Sequence, residues 1–280
     1  MPFLRFLPPD YSDGVQEFRL AQSGKPLPSP RAISAMVHRE SSDDTPPFTM
    51  MVMQWGQYLD HDLTSTPQSR GFNNSIIKCC SSDGKPLSKD LMHPDCAPIN
   101  IPGSDAFYSQ FNVSCMEFVR SSPAPRKDCS LGPRDPINQV TSFIDASSIY
   151  GSTIEEQQAL RLGRIGKDLN HKWQHRMKNS YLAKGQKTAQ HFSFLGKLKY
   201  TDLHFRKPLL PALDPTTSHE MCRVSTPNLH CFAAGDARAN EQPGLTAMHT
   251  LWLREHNRVS KELSNVNPHW EDERWSTILY

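Results

Sequence analysis

"QWGQYLDHDLTSTPQ", residues 54–68, lies in a run of Met, Val, Trp, Tyr and Leu. Such a run should be buried, yet Gln57, Asp60, His61 and Asp62 stand in the middle of it. Buried charge is costly unless it is paired, bound to metal or put to use. The spacing predicts a helix from Thr49 to about Leu63. Residues at i, i+3 and i+4 share a helix face, so Gln57, Asp60 and His61 stand together. Asp62 lies about 100° further round and points elsewhere. One face therefore offers an amide, a carboxylate and an imidazole, and another a lone carboxylate. An ordinary polar face with no chemistry is the alternative reading.

Two further stretches carry candidate chemistry. In "TSFIDAS", 141–147, Thr141, Phe143, Asp145 and Ser147 alternate. In an extended loop, alternate residues turn their side-chain and backbone oxygens the same way. Calcium accepts such a mixture of carboxylate, hydroxyl and carbonyl oxygens, and Asp62 would add a second carboxylate. A capped turn is the alternative. In "AGDARANEQPGL", 234–245, Arg238 and Glu241 sit in a loop just before a helix. A structural salt bridge explains them equally well when they are taken alone.

That last helix is predicted over 243–263, with Pro243 at its start. Leu245, Met248, His249, Trp252, His256, Val259 and Leu263 form one stripe at spacings of three and four. A shorter helix is expected from Thr153 to about Leu162. Residues 1–47 read as mostly irregular, including "LPSPRAIS", and residues 70–136 as ordered loop held by bridges. "LHFRKPLLPAL", 203–213, reads as extended. Residues 165–196 are basic, lack a helical stripe and read as an insertion. The expectation is a mainly α chain with long disulfide-bridged loops and little β.

The bulk properties narrow the classes. The 280 residues are 37% hydrophobic, enough for a sizeable core, with a net charge of +2. That balance, with no nucleic-acid motif, argues against nucleic acid as a partner. No run of about 20 apolar residues occurs, so no transmembrane helix is expected. Seven cysteines without a C-x-x-C motif suggest disulfides in an oxidising compartment. The sequons at Asn73 and Asn112 agree with an extracellular, glycosylated protein. The opening "MPFLRFLPPDY" is not a signal peptide. The expectation is therefore a piece of a longer secreted protein. Cys222 and Cys231 are expected to pair. Adjacent Cys79 and Cys80 are expected to take Cys96 and Cys115, in an order left open. Cys129 is left over for an intermolecular bridge.

Taken together, "MQWGQYLDHDL", "VTSFIDASSIYGS", "CFAAGDARANEQPGLTAMHTLWLREHNR" and "NPHW" resemble the animal haem peroxidases. The resemblance is colinear over most of residues 1–270 apart from 165–196, and 271–280 leave the pattern. It implies a helical domain, present here as its distal half, that binds haem b and Ca2+. It casts His61 as the distal base that takes a proton from hydrogen peroxide, Arg238 as its electrostatic partner, and Gln57 as the holder of distal water or a halide. It casts Asp60 and Glu241 as carboxylates ester-linked to haem in a complete protein. Asp62, Thr141, Phe143, Asp145 and Ser147 match the calcium ligands. Some members carry methionine where this sequence has Gln242, so two haem links at most are implied. His249 and His256 match packing positions.

The implied activity is oxidation of a phenolic, tyrosine or halide donor by hydrogen peroxide, with protein cross-linking in a matrix or eggshell the leading role. The family's proximal histidine belongs to a stretch this sequence lacks, so the 280 residues alone are expected to be inactive. A non-catalytic, peroxidase-like binding module of the matrix is the alternative. A metallohydrolase reading of the His61-Asp62 doublet would leave Asp145 and Arg238 unexplained.

Overall fold

The computed structural model describes residues 2–38, 47–126, 129–161, 209–213, 222, 231–270 and 274. The chain divides into two compact units. Met1–Pro47 and Thr64–Gln139 form the first, and Phe48–Leu63 and Val140–Tyr280 the second.

The first unit is mostly loop. It contains helix α1 (Pro30–Val37) and an antiparallel pair, β1 (Ile99–Asn100) and β2 (Cys115–Met116), with Ile99 opposite Met116. The helix α1 corrects the expectation that "LPSPRAIS" is loop. Proline suits the first helical position, where no backbone N–H is needed, and Pro30 occupies that position. Arg31, one residue on, grips the Asp105 carboxylate through Nε and Nη2 at 2.6 and 3.1 Å and lies over the Tyr108 ring. Asp105 also accepts the N–H groups of Phe107 and Tyr108. Two disulfides, Cys79–Cys96 and Cys80–Cys115, settle the order the sequence left open. Cys129 is unbonded and exposed.

The second unit is helical. It contains α2 (Met50–Leu63), α3 (Ser147–Tyr150), α4 (Ile154–Leu160) and α5 (Pro243–Val266). Helix α4 starts with a reciprocal cap between Thr153 and Glu156. Pro243 opens α5 as expected. The core joins Tyr58 of α2, Ile149 of α3, Leu210, and Leu245, Met248 and Leu253 of α5.

Two expectations are corrected here. The apolar residues of α2 are not its buried ones. Met50, Met51, Val52, Met53 and Trp55 are 41–73% exposed, while Gln54, Tyr58, His61 and Asp62 are buried. The buried face of α2 thus sets polar Gln54, His61 and Asp62 beside the core residue Tyr58, turned toward α3 and α5. On α5, Leu245, Met248, His249 and His256 are buried as expected, but Trp252 lies 36% exposed against Trp55 and Leu253 packs inward instead. The pair Cys222–Cys231 is bonded as expected. The basic segment 165–196 lies outside the described residues, as do nearly all of 271–280. No described helix is long and apolar enough to cross a membrane.

Candidate functional site

The site is assembled from three pieces of the second unit: the last turns of α2, the entry to α3, and the loop before α5. A single close approach sets the third piece. A Cβ at Gly235 would meet Gly151 N at 2.2 Å and Ser147 O at 2.4 Å, so only glycine lets this loop cross α3. Asp236 N then donates to Ser148 O at 3.0 Å.

That crossing brings Arg238 to His61. Arg238 Nη2 donates to the His61 carbonyl at 3.0 Å. Its Nε and Nη2 also bond Asp236, with the ion pair at 2.5 Å. Asp236 is a site residue the sequence reading missed. Its signal was local: an Asp two before an Arg accepts that residue's backbone N–H, here at 2.7 Å. Burial opposes the Asp236 charge, but the hydrogen bonds and charge of Arg238 outweigh it, and its carboxyl lies below the usual carboxylate range.

His61 is 5% exposed. Burial, and then the positive charge of Arg238, push its imidazole below the ordinary value of 6.5, so it is neutral at neutral pH. Its Nε2 lies 3.8 Å from Glu241 Oε2. Its Nδ1 is buried without a hydrogen-bond partner among the described residues. Gln57 donates to the same Glu241 oxygen at 3.2 Å and accepts from Gln242 at 2.6 Å. Asp60 is exposed, on the next turn of the same helix side. Gln57, Asp60 and His61 share one side of α2 by helical spacing, and the loop before α5 brings Arg238 and Glu241 to it.

Asp62 points the other way, into α3. It is 2% exposed. Its Oδ2 accepts Ala146 N at 3.1 Å, and its Oδ1 accepts Ser148 N and Ser147 Oγ, both at 3.2 Å. Asp145 Oδ1 accepts Ser147 N at 3.0 Å and Thr141 Oγ1 at 2.8 Å. Ala146, at φ 58°, makes the turn that lets both carboxylates reach this segment. The Phe143 side chain is 70% exposed, which leaves its carbonyl as its oxygen donor. Among the described residues no group of three or more His, Cys, Asp or Glu side chains is placed to hold a metal. Two carboxylates with hydroxyl and carbonyl oxygens are a different donor set, one that suits a hard cation.

The two buried histidines of α5 bond through Nδ1, and His249 Nε2 has no hydrogen-bond partner among the described residues. His249 Nδ1 bonds Leu245 O at 2.9 Å and His256 Nδ1 bonds Tyr150 Oη at 2.8 Å.

The sequence of the whole site matches a family model described as "Animal haem peroxidase" over residues 1–193 and 183–275. The chain belongs to the animal haem peroxidase family. It is 35% identical to the chorion peroxidase of Drosophila melanogaster over 97% of this chain and 30% of that protein. It is 39% identical to the peroxidasin homolog of Homo sapiens over 95% of this chain and 16% of that protein. The myeloperoxidase of Homo sapiens is 34% identical, with 33% of its length covered. The chain thus spans a third or less of these relatives. In structure it is similar to peroxidase A from Dictyostelium discoideum, with a TM-score of 0.60 at 21% identity, covering 99% of this chain and 45% of the other.

Proposed function

We propose that these residues form the distal side of a secreted haem peroxidase that uses hydrogen peroxide to oxidise a phenolic, tyrosine or halide donor. One observation carries the reading: a buried, neutral imidazole at His61 with the Arg238 guanidinium anchored on its own carbonyl. Bound haem would supply the iron at which the peroxide O–O bond is cleaved. His61 Nε2 takes the proton from hydrogen peroxide and returns it to the departing oxygen, a two-way transfer suited to a neutral imidazole. Arg238, held by Asp236, places positive charge where negative charge develops. Gln57 presents its amide to distal water or a halide.

The residues also fit the groups the family implies. Asp60 is exposed and the Glu241 side chain is 43% exposed, so both carboxylates are open to a large planar cofactor and to ester formation with it. Asp62 is a nearly fully buried carboxylate with no cationic partner among the described residues, as a calcium ligand would be. Calcium bound by Asp62, Thr141, Phe143, Asp145 and Ser147 would fix the end of α2 and so the direction of His61. His249 and His256 are 0% and 6% exposed and each bonds through Nδ1, so burial closes both to the iron. Haem added to the 280-residue polypeptide should accordingly give no Soret band of histidine-ligated iron, and a band of that kind would refute this point.

His61→Ala tests the core of the reading. In a haem-loaded protein containing these residues, it should slow the reaction with peroxide by about two to four orders of magnitude, as loss of a general acid–base group does. The midpoint of the acid loss of the wild-type rate should lie below pH 6.5, because the depressed imidazole stays a base further into acid than an ordinary histidine. Unchanged stopped-flow rates in the variant would remove His61 from the mechanism and favour a non-catalytic matrix module.

A further inference from the structure

One polar chain in the site is not accounted for by peroxide chemistry. It starts at Gln54, 5% exposed, whose side chain fills the space beside Gly244. A Cβ at Gly244 would meet Gln54 Cδ at 2.7 Å, so glycine there makes room for this amide. Gln54 Nε2 donates to Gln242 Oε1 at 3.1 Å. Gln242 Nε2 donates to Gln57 Oε1 at 2.6 Å. Gln57 Nε2 donates to Glu241 Oε2 at 3.2 Å, the oxygen that faces His61 Nε2.

Each amide in this chain has one end that donates and one that accepts. A carboxylate can only accept, so Glu241 forces the Gln57 N–H end toward itself. The Gln57 carbonyl must then find a donor, and Gln242 is that donor. The Gln242 carbonyl in turn takes the Gln54 N–H. The polarity of all three side chains therefore runs one way, from a buried anchor to the carboxylate at the site. Without Gln242, the Gln57 amide would lose its brace on the carbonyl side.

We propose that Gln242 is a positioning residue. Anchored by Gln54, it holds Gln57 so that amide N–H donors, not the carbonyl, face Glu241 and His61. With Glu241, it fixes which end of Gln57 the pocket presents to a bound anion or water. The significance for anions rests on the distal reading above, whereas the orientation itself does not.

The test is hydrogen exchange of the Gln57 side-chain amide in the full chain, labelled with 15N-glutamine. Its resonance is identified by its disappearance in Gln57→Leu. Gln242→Glu and Gln242→Met are close to glutamine in length but cannot donate to Gln57. Both should speed Gln57 N–H exchange about tenfold, as loss of a supporting hydrogen bond does. A merely space-filling Gln242 would leave both variants like the wild type, and unchanged exchange in both overturns the proposal. Should either variant lose the wild-type helical circular dichroism, Gln54→Met reads the same chain from its far end. Faster Gln57 exchange there supports the proposal, and unchanged exchange overturns it. The measurement needs no haem. If Gln57 loosens as expected while His61→Ala leaves the peroxide reaction intact, the positioning role holds and the distal reading is what fails.

Discussion

The two units of the chain reach order by different means. In the first, the buried apolar side chains are few: Ile77 and Ile101, beside Cys79, Cys80 and Cys115. Its loops are held by two disulfides and by arginines clamped to carboxylates, Arg31 on Asp105 and Arg134 on Asp95, each at 2.6 Å. In the second, three helices, α2, α3 and α5, share with Leu210 a core of Tyr58, Ile149, Leu245, Met248 and Leu253. All the candidate site residues belong to the second. The difference suggests a division of labour. Cross-links hold a segment too loop-rich to build a core, while packed helices supply the rigid backbone that directional chemistry needs.

Opposed substitutions give the largest effects. Leu245, fully buried, should cost about 2–5 kcal/mol when changed to alanine, because a cavity opens in the helical core. The pair Cys80→Ser/Cys115→Ser opens a loop of 35 residues and should cost about 4 kcal/mol by the chain-entropy account. Amide exchange should place the two losses apart: at Tyr58, Met248 and their neighbours for the first, and at Ile77, Ile101 and theirs for the second. Loss of protection at the same residues in both variants would break the comparison, since the chain would then be one cooperative unit.

The next effect separates packing from ligation within the second unit. Asp62→Ala leaves the N–H groups of Ala146 and Ser148 without their acceptor. A buried donor left unsatisfied costs about 1–3 kcal/mol. If the segment also binds calcium, the variant should lose it on metal analysis and its haem affinity should fall too. Retention of a full calcium equivalent would strike Asp62 from the ligand set. Smallest of all is Thr153→Ala, which removes one half of the reciprocal cap on α4 and should cost about 1 kcal/mol by thermal melting. A loss several times larger would mean that α4 braces the core and is not a peripheral helix.

Much of this was legible in the chain itself, because local rules govern it. Pro243 and the three-and-four spacing marked α5, and the helix runs Pro243–Val266. The 100° step between His61 and Asp62 separated an imidazole from a carboxylate, and His61 Nε2 lies toward Glu241 while Asp62 accepts from Ala146 at the entry to α3. The nine-residue spacing of Cys222 and Cys231 announced their bridge. Family resemblance then joined stretches 80 or more residues apart that no local rule connects.

Tertiary structure decided the rest, wherever the answer depended on what lies opposite. Hydropathy alone placed the wrong side of α2 inside. The buried side is the one that meets α3 and α5, and hydrogen bonds to its carboxylate let Asp62 go under cover there while Met50 and Met51 stay out. The order Cys79–Cys96 and Cys80–Cys115 depends on which loops lie side by side, and adjacency in sequence says nothing about that. The second half of "LPSPRAIS" is helical, and the turn starting at Pro30 puts Arg31 against Asp105, a partner 74 residues away. Asp236, Gln54 and Gln242 joined the site for the same reason. Asp236 and Gln54 are each an unremarkable polar residue until a glycine, Gly235 for the one and Gly244 for the other, lets backbone or side chain come close enough for its hydrogen bonds to close.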